Sequence, residues 1–174
     1  MTDRPGMKER VKQPNSRHCF VCGIENRHGF GLAFYEVGPE EVEANVVIPE
    51  KFEGYPGIAH GGIVAALLDE ITWRASVIGQ PEQLVVTGRL DMRLRKPVPV
   101  GAPLRLRGVL RRRKAHVAEA HGELYLETGD LAAEAEAMLF DTGGLPSQAG
   151  AQETLGWRVY PDVAGDEPTD SKGV

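Results

Sequence analysis

The chain has 174 residues, 41% of them hydrophobic, and a formal net charge of −5. That is one domain's worth of chain with enough apolar side chains for a core, and the lack of an 18-residue apolar run excludes a membrane-spanning helix. With no charged-then-apolar leader, and with two cysteines spaced C-x-x-C (Cys19, Cys22), the expectation is a soluble cytoplasmic protein rather than a secreted disulfide scaffold. The charge is unevenly spread. Residues 89–114 hold ten basic residues and one acid, Asp91, a segment charge of +9 that leaves −14 for the rest. Such a split points to an anionic partner at one place.

Residues 1–17 are polar and aperiodic and read as a flexible lead-in. A domain over residues 18–141 follows, opening on the turn-rich HCFVCGIENRHGFG. Residues 31–37 and 42–48 read as strands joined by the Gly38-Pro39 turn. A Gly- and Pro-punctuated loop then delivers a long helix, roughly 61–78. Its apolar stripe is Ile63, Val64, Leu67, Leu68, Ile71, Ala75 and Ile78 at helical spacing. The opposite side carries Gly62, Ala65, Ala66, Asp69 and Trp73, while Glu70 and Arg74 read as a solvated i,i+4 pair. Gly79 and Pro81 stop the helix.

Only strands follow: 84–96, 104–113, 115–128 and 131–140. The last is rich in Ala and Glu and could pass for a helix, but Leu131, Ala133, Ala135, Ala137 and Leu139 alternate with polar neighbours, which is period two. Residues 142–174 read as a loosely ordered acidic tail in which Trp157 and Tyr160 are candidates to dock. The sum is an α+β fold, an antiparallel sheet wrapped around a long central helix. One sheet covers one face of that helix, and the simplest cover for the other is a second copy of the chain, giving a homodimer or a dimer of dimers.

The chemistry-bearing residues gather at this helix. His60-Gly61-Gly62 opens it with backbone N–H groups that a ligand oxygen can approach closely. Asp69 is a carboxylate on the small-residue face, costly to bury unless it is paired or functional. His18, Cys19, Cys22 and His28 raise a zinc reading, but a structural site takes four ligands, usually as two separated pairs, and no second cysteine pair exists. The expectation is therefore free thiols and no metal. No Gly-rich phosphate loop is present, so no nucleotide cofactor is expected. The basic run lacks the aromatic interleaving of a single-strand binder, which argues against nucleic acid.

On His60-Gly61-Gly62, Asp69 nine residues after the histidine, Thr87, and the strand LDMRLRKPVPVG, the chain resembles the PaaI-type acyl-CoA thioesterases of the hotdog fold over roughly residues 19–140. The resemblance implies hydrolysis of acyl-CoA without a cofactor, at sites formed across a dimer. Gly61 would lend its N–H to the thioester carbonyl, Asp69 would act as general base or nucleophile, Thr87 would place the water, and His60 would shape the loop. Gly62 and the basic residues Arg93, Arg95, Lys96, Arg111 and Arg112 become candidates for binding substrate, the latter through coenzyme A phosphates. Several relatives carry Asn six residues before the histidine, where this chain has Gly54. That departure keeps a non-catalytic acyl-CoA-binding protein as the alternative.

Overall fold

The computed structural model describes residues 10–142 and 151–162. Among the described residues nine strands and two α-helices follow one another: β1 (Val11–Lys12), β2 (Tyr35–Gly38), β3 (Glu41–Val47), β4 (Glu53–Tyr55), β5 (Ile58–Ala59), α1 (Gly61–Ser76), β6 (Val85–Leu94), β7 (Pro103–Lys114), β8 (Val117–Leu126), β9 (Leu131–Asp141) and α2 (Ala151–Leu155). Seven strands form one antiparallel sheet in the order β1-β2-β3-β7-β8-β9-β6. β4 and β5 make a separate small hairpin before α1. No helix among the described residues is long and apolar enough to cross a membrane.

Helix α1 lies along one face of the sheet. Leu67, Leu68, Ile71 and Ala75 are fully buried against Leu106, Leu124, Ala133 and Leu139. Each Leu or Ile removed from water in this way contributes about 1.5–3 kcal/mol. The helix comes unusually near the strands at Gly108 and Gly122, which are register partners on β7 and β8. A Cβ at Gly108 would lie 2.5 Å from the Ile71 carbonyl oxygen, and one at Gly122 would lie 2.8 Å from Thr72 Cγ2. Glycine in these strands is the price of close helix approach.

The Ala- and Glu-rich segment is strand β9, paired on both sides by β8 and β6. Its small inward residues Ala133, Ala135 and Ala137 are buried. Its period-two pattern therefore outweighs its helical composition.

Two readings are corrected. Arg74 is not solvated but fully buried. Its Nε donates to Glu70 Oε1 at 2.8 Å, its Nη1 donates to the Pro14 carbonyl at 2.6 Å, and its guanidinium stacks 4.4 Å above the Phe34 ring. The cause is residues 10–17 of the segment read as a lead-in, whose residues 1–9 lie outside the described residues. Val11 and Lys12 pair with Glu36 and Tyr35 as an edge strand, and Gln13, Asn15 and Ser16 are buried over the helix. On the C-terminal side, Asn15 forms a bridge to Arg158, while Trp157 packs edge-on against Trp73 at 5.7 Å and donates its indole N–H to the Pro81 carbonyl at 2.9 Å.

Candidate active site

The start of α1 is held from two sides. Ala59 N donates to the Val98 carbonyl at 2.8 Å and Val100 N to the Gly57 carbonyl at 3.1 Å, so the loop before the helix is tied to the Pro97–Gly101 turn. Gly57 and Gly101 have φ of +77° and +73°, conformations that glycine adopts without strain. His60 is the N-cap. Its Nδ1 accepts the Gly62 N–H at 3.0 Å, and its own N–H donates to the Phe52 carbonyl at 2.9 Å. One nitrogen of His60 is thus committed to the helix, and so is the Gly62 N–H. The Gly61 N–H has no acceptor among the described residues and remains available at the positive end of the helix.

Gly54, on the β4–β5 hairpin, lies against this cap. A Cβ there would sit 3.2 Å from His60 Cα and 3.4 Å from its Cδ2. A side chain at position 54 would therefore press on His60 rather than stand free beside it.

Asp69 is two turns further along α1 and half-buried. Thr87 on β6 shares register with the buried Leu139, so it faces the helix, and its hydroxyl lies beside the Asp69 carboxylate and favours its charged form. A bulge follows at Gly88, over which the Phe140 ring lies so closely that a Cβ would come within 2.4 Å of it. Burial lifts the Asp69 carboxyl above the ordinary aspartate range, against the opposing effect of the Thr87 hydroxyl. The arrangement holds a desolvated carboxylate, a hydroxyl beside it, and a free N–H at the helix start. Eight residues of helix put Gly61 and Asp69 about 12 Å apart in one chain, too far to touch one carbonyl group.

The model of the thioesterase superfamily matches residues 56–133, the stretch from this loop to the last strand. The domain has the hotdog fold, and this stretch of it is similar to the thioesterase superfamily. A solved thioesterase superfamily protein has the same fold at 26% identity and a TM-score of 0.66, covering 72% of this chain and 61% of that one, so the chain spans about three-fifths of that protein's length. A hypothetical thioesterase from Streptococcus pneumoniae, solved with coenzyme A, matches at 18% identity and a TM-score of 0.55 over 60% of this chain and 80% of that one. A Streptococcus mutans protein bound to acetyl CoA matches at 20% identity and 0.58, over 64% and 88%. No curated protein sequence matches the chain.

The basic segment of this hotdog domain is largely neutralised across strands. Arg95 pairs with Glu134, Lys96 with Asp130 at 2.9 Å, Arg105 with Glu43 at 2.8 Å, Arg107 with Glu41 and Glu123, and Arg112 with Glu119. Arg113 caps the far end of α1 through the carbonyls of Ser76 (2.6 Å) and Ile78 (3.2 Å). Arg93 and Arg111 have no ionic partner among the described residues. The candidate phosphate ligands fall into two groups. Arg93, Arg95 and Lys96 lie at the end of β6 near Gly61, whose Cβ position is 3.4 Å from Leu94 Cδ1. Arg111 and Arg112 lie at the opposite end of the helix.

The sequence reading missed one neighbour. Cys19 and Cys22 are free thiols, and both lie against Glu70 of α1. They share a cleft of about 240 Å³ with Asp69, Trp73 and Trp157. Glu70 is 51 residues from Cys19 in the chain, and no local spacing signals the contact.

Proposed function

We propose that this protein is a PaaI-type acyl-CoA thioesterase that releases free acid and coenzyme A, working in the cytoplasm as a homodimer or dimer of dimers. The observation that carries the reading is the pairing of Asp69 with Thr87 on a helix whose first N–H is unpaired and whose small face is uncovered. Gly62 is exposed, and Ala65, Ala66 and Asp69 are half-buried. Beside them the outer edge of β6 exposes Met92 (36%) and Leu94 (53%), a strand edge of the sort that second copies cover. A second copy would bring its own Gly61 toward this Asp69 and close the 12 Å gap.

In the proposed reaction the Gly61 N–H and the helix dipole stabilise negative charge developing on the thioester oxygen. Asp69 takes a proton from water, whose oxygen attacks the carbonyl carbon. The C–S bond breaks, and the coenzyme A thiolate leaves with that proton. Alternatively the Asp69 carboxylate attacks first, forming a mixed anhydride that water then hydrolyses. Thr87 orients the carboxylate in both.

Coenzyme A release from a panel of acyl-CoAs, measured as free thiol above the protein's own, tests the assignment. Turnover on at least one acyl group is expected. Tight acyl-CoA binding with no turnover across the panel would instead establish the alternative, a non-catalytic acyl-CoA-binding protein, which Gly54 in place of the Asn of several relatives keeps open.

A further inference from the structure

The C-x-x-C loop wraps its own backbone around Cys19. Cys19 Sγ accepts two backbone N–H groups, from Val21 and Cys22, each at 3.4 Å. Gly23 N donates to the Cys19 carbonyl at 2.9 Å, and a Cβ on Gly23 would lie 2.3 Å from that oxygen, so only glycine closes this turn. Ser16 Oγ lies 3.6 Å from Cys22 Sγ, and Asn15 Nδ2 donates to the Cys22 carbonyl at 2.7 Å. Phe20 and Phe30 pin the loop to Phe52 with ring centroids 5.9 and 5.1 Å away.

Helix α1 supplies the third donor. Glu70 Oε2 lies 3.7 Å from Cys19 Sγ, and the donor atoms of Cys19, Cys22 and Glu70 all lie within 4.8 Å of one another. With Zn–S of about 2.3 Å and Zn–O of about 2.0–2.2 Å, the edges of a tetrahedral site are about 3.5–3.8 Å. The Cys19–Glu70 edge already has that length, and the other two edges are no longer than 4.8 Å. The other oxygen of Glu70 accepts from the buried Arg74 at 2.8 Å, the kind of outer support that orients a ligating carboxylate.

We propose that Cys19, Cys22 and Glu70 bind one zinc ion. Binding expels the two thiol protons, so two thiolates and a carboxylate meet Zn²⁺ and the Arg74 guanidinium with no net charge left over. Three protein ligands leave a fourth position, and the donors line the cleft that also holds Asp69, so water or an external ligand can complete the shell. The free-thiol expectation counted ligands along the chain alone, whereas the fold brings in one from the helix. The proposal stands apart from the thioesterase reading and survives if that fails.

The test uses the full chain, stripped with chelator under a non-thiol reductant and titrated with Co²⁺. The expected result is a thiolate-to-cobalt charge-transfer band with intense tetrahedral visible bands, saturating at one ion per chain and bleached by Zn²⁺. Cys19→Ser and Cys22→Ser should each abolish the charge-transfer band or cut it sharply, and Glu70→Gln should weaken affinity about tenfold or more. X-ray absorption of the zinc-loaded wild type, which needs no variant to fold, should count two sulfur ligands. A weak octahedral cobalt spectrum, fewer than two sulfurs around zinc, or two thiols that stay fully reactive in excess Zn²⁺ would each overturn the site.

Discussion

Gly108 and Gly122 face one another across β7 and β8 directly beneath Ile71 and Thr72. Their missing side chains let the helix settle on the sheet. The atom that a Cβ at 108 would strike is backbone, the Ile71 carbonyl oxygen at 2.5 Å, and it cannot swing aside. Gly108→Ala is therefore expected to cost about 1–3 kcal/mol, the usual range for overpacking, and to lower the melting temperature in thermal denaturation. An unchanged melting temperature would mean that the helix rides further from the sheet than described.

Glu123 sets an acid limit on stability. Burial would raise its carboxyl, but hydrogen bonds from Arg107 and Tyr125 and the Arg107 charge outweigh it, and the pKa falls below the usual glutamate range. A depressed carboxyl stabilises the fold fully above its unfolded pKa of about 4.3, and loses that contribution as pH falls through the lower folded value. Glu123→Gln should thus be less stable than wild type at neutral pH, with the gap closing as pH drops below about 4. Denaturant titrations at a series of pH values check this; a gap independent of pH would assign the loss to packing.

Neutralising Arg93, Arg95 and Lys96 together is expected to raise the Michaelis constant for acyl-CoA and flatten its salt dependence. An acyl-pantetheine, which lacks the nucleotide phosphates, should be affected far less. The same comparison on Arg111 and Arg112 decides whether the distant group contributes. Equal loss on both substrates would make either group structural, in keeping with the pairs that Arg95, Lys96 and Arg112 already make.

What the sequence made legible was periodic. The α1 stripe from Val64 to Ala75 and the alternation of β6 to β9 are local patterns, and they locate both the helix and the sheet face it meets. Asp69 and Thr87 could be paired only through the family resemblance, since their register depends on the fold of β6 around Gly88. Arg74 was misread for a physical reason. Nothing within a helical turn of it says that Pro14, Gln13 and Phe34, some forty to sixty residues earlier, will fold over it. The cross-strand acids that quiet the basic segment are hidden in the same way, because Glu41 and Glu43 reach Arg107 and Arg105 through β3.

The shared site carries the most exacting prediction. Asp69→Asn keeps the volume of the side chain and removes the base, so turnover should fall roughly a hundred- to ten-thousand-fold, with acyl-CoA binding retained. Gly61→Pro removes the N–H and adds a ring whose Cβ would lie 3.4 Å from Leu94 Cδ1, an ordinary contact. Proline suits the first position of a helix, His60 before it is already extended at φ −62° and ψ 135°, and the His60 cap on Gly62 does not involve Gly61. Each variant alone should fold and be nearly inactive. If Gly61 of one copy works with Asp69 of the other, dimers re-formed from both variants hold one intact site and one doubly broken site. Half of randomly re-associated dimers are mixed, so the mixture should recover about a quarter of wild-type activity. Mixed dimers seen by native mass spectrometry with no recovery would show that these two groups do not form one site across the copies. Full activity in a protein that stays monomeric by light scattering would do so without any variant.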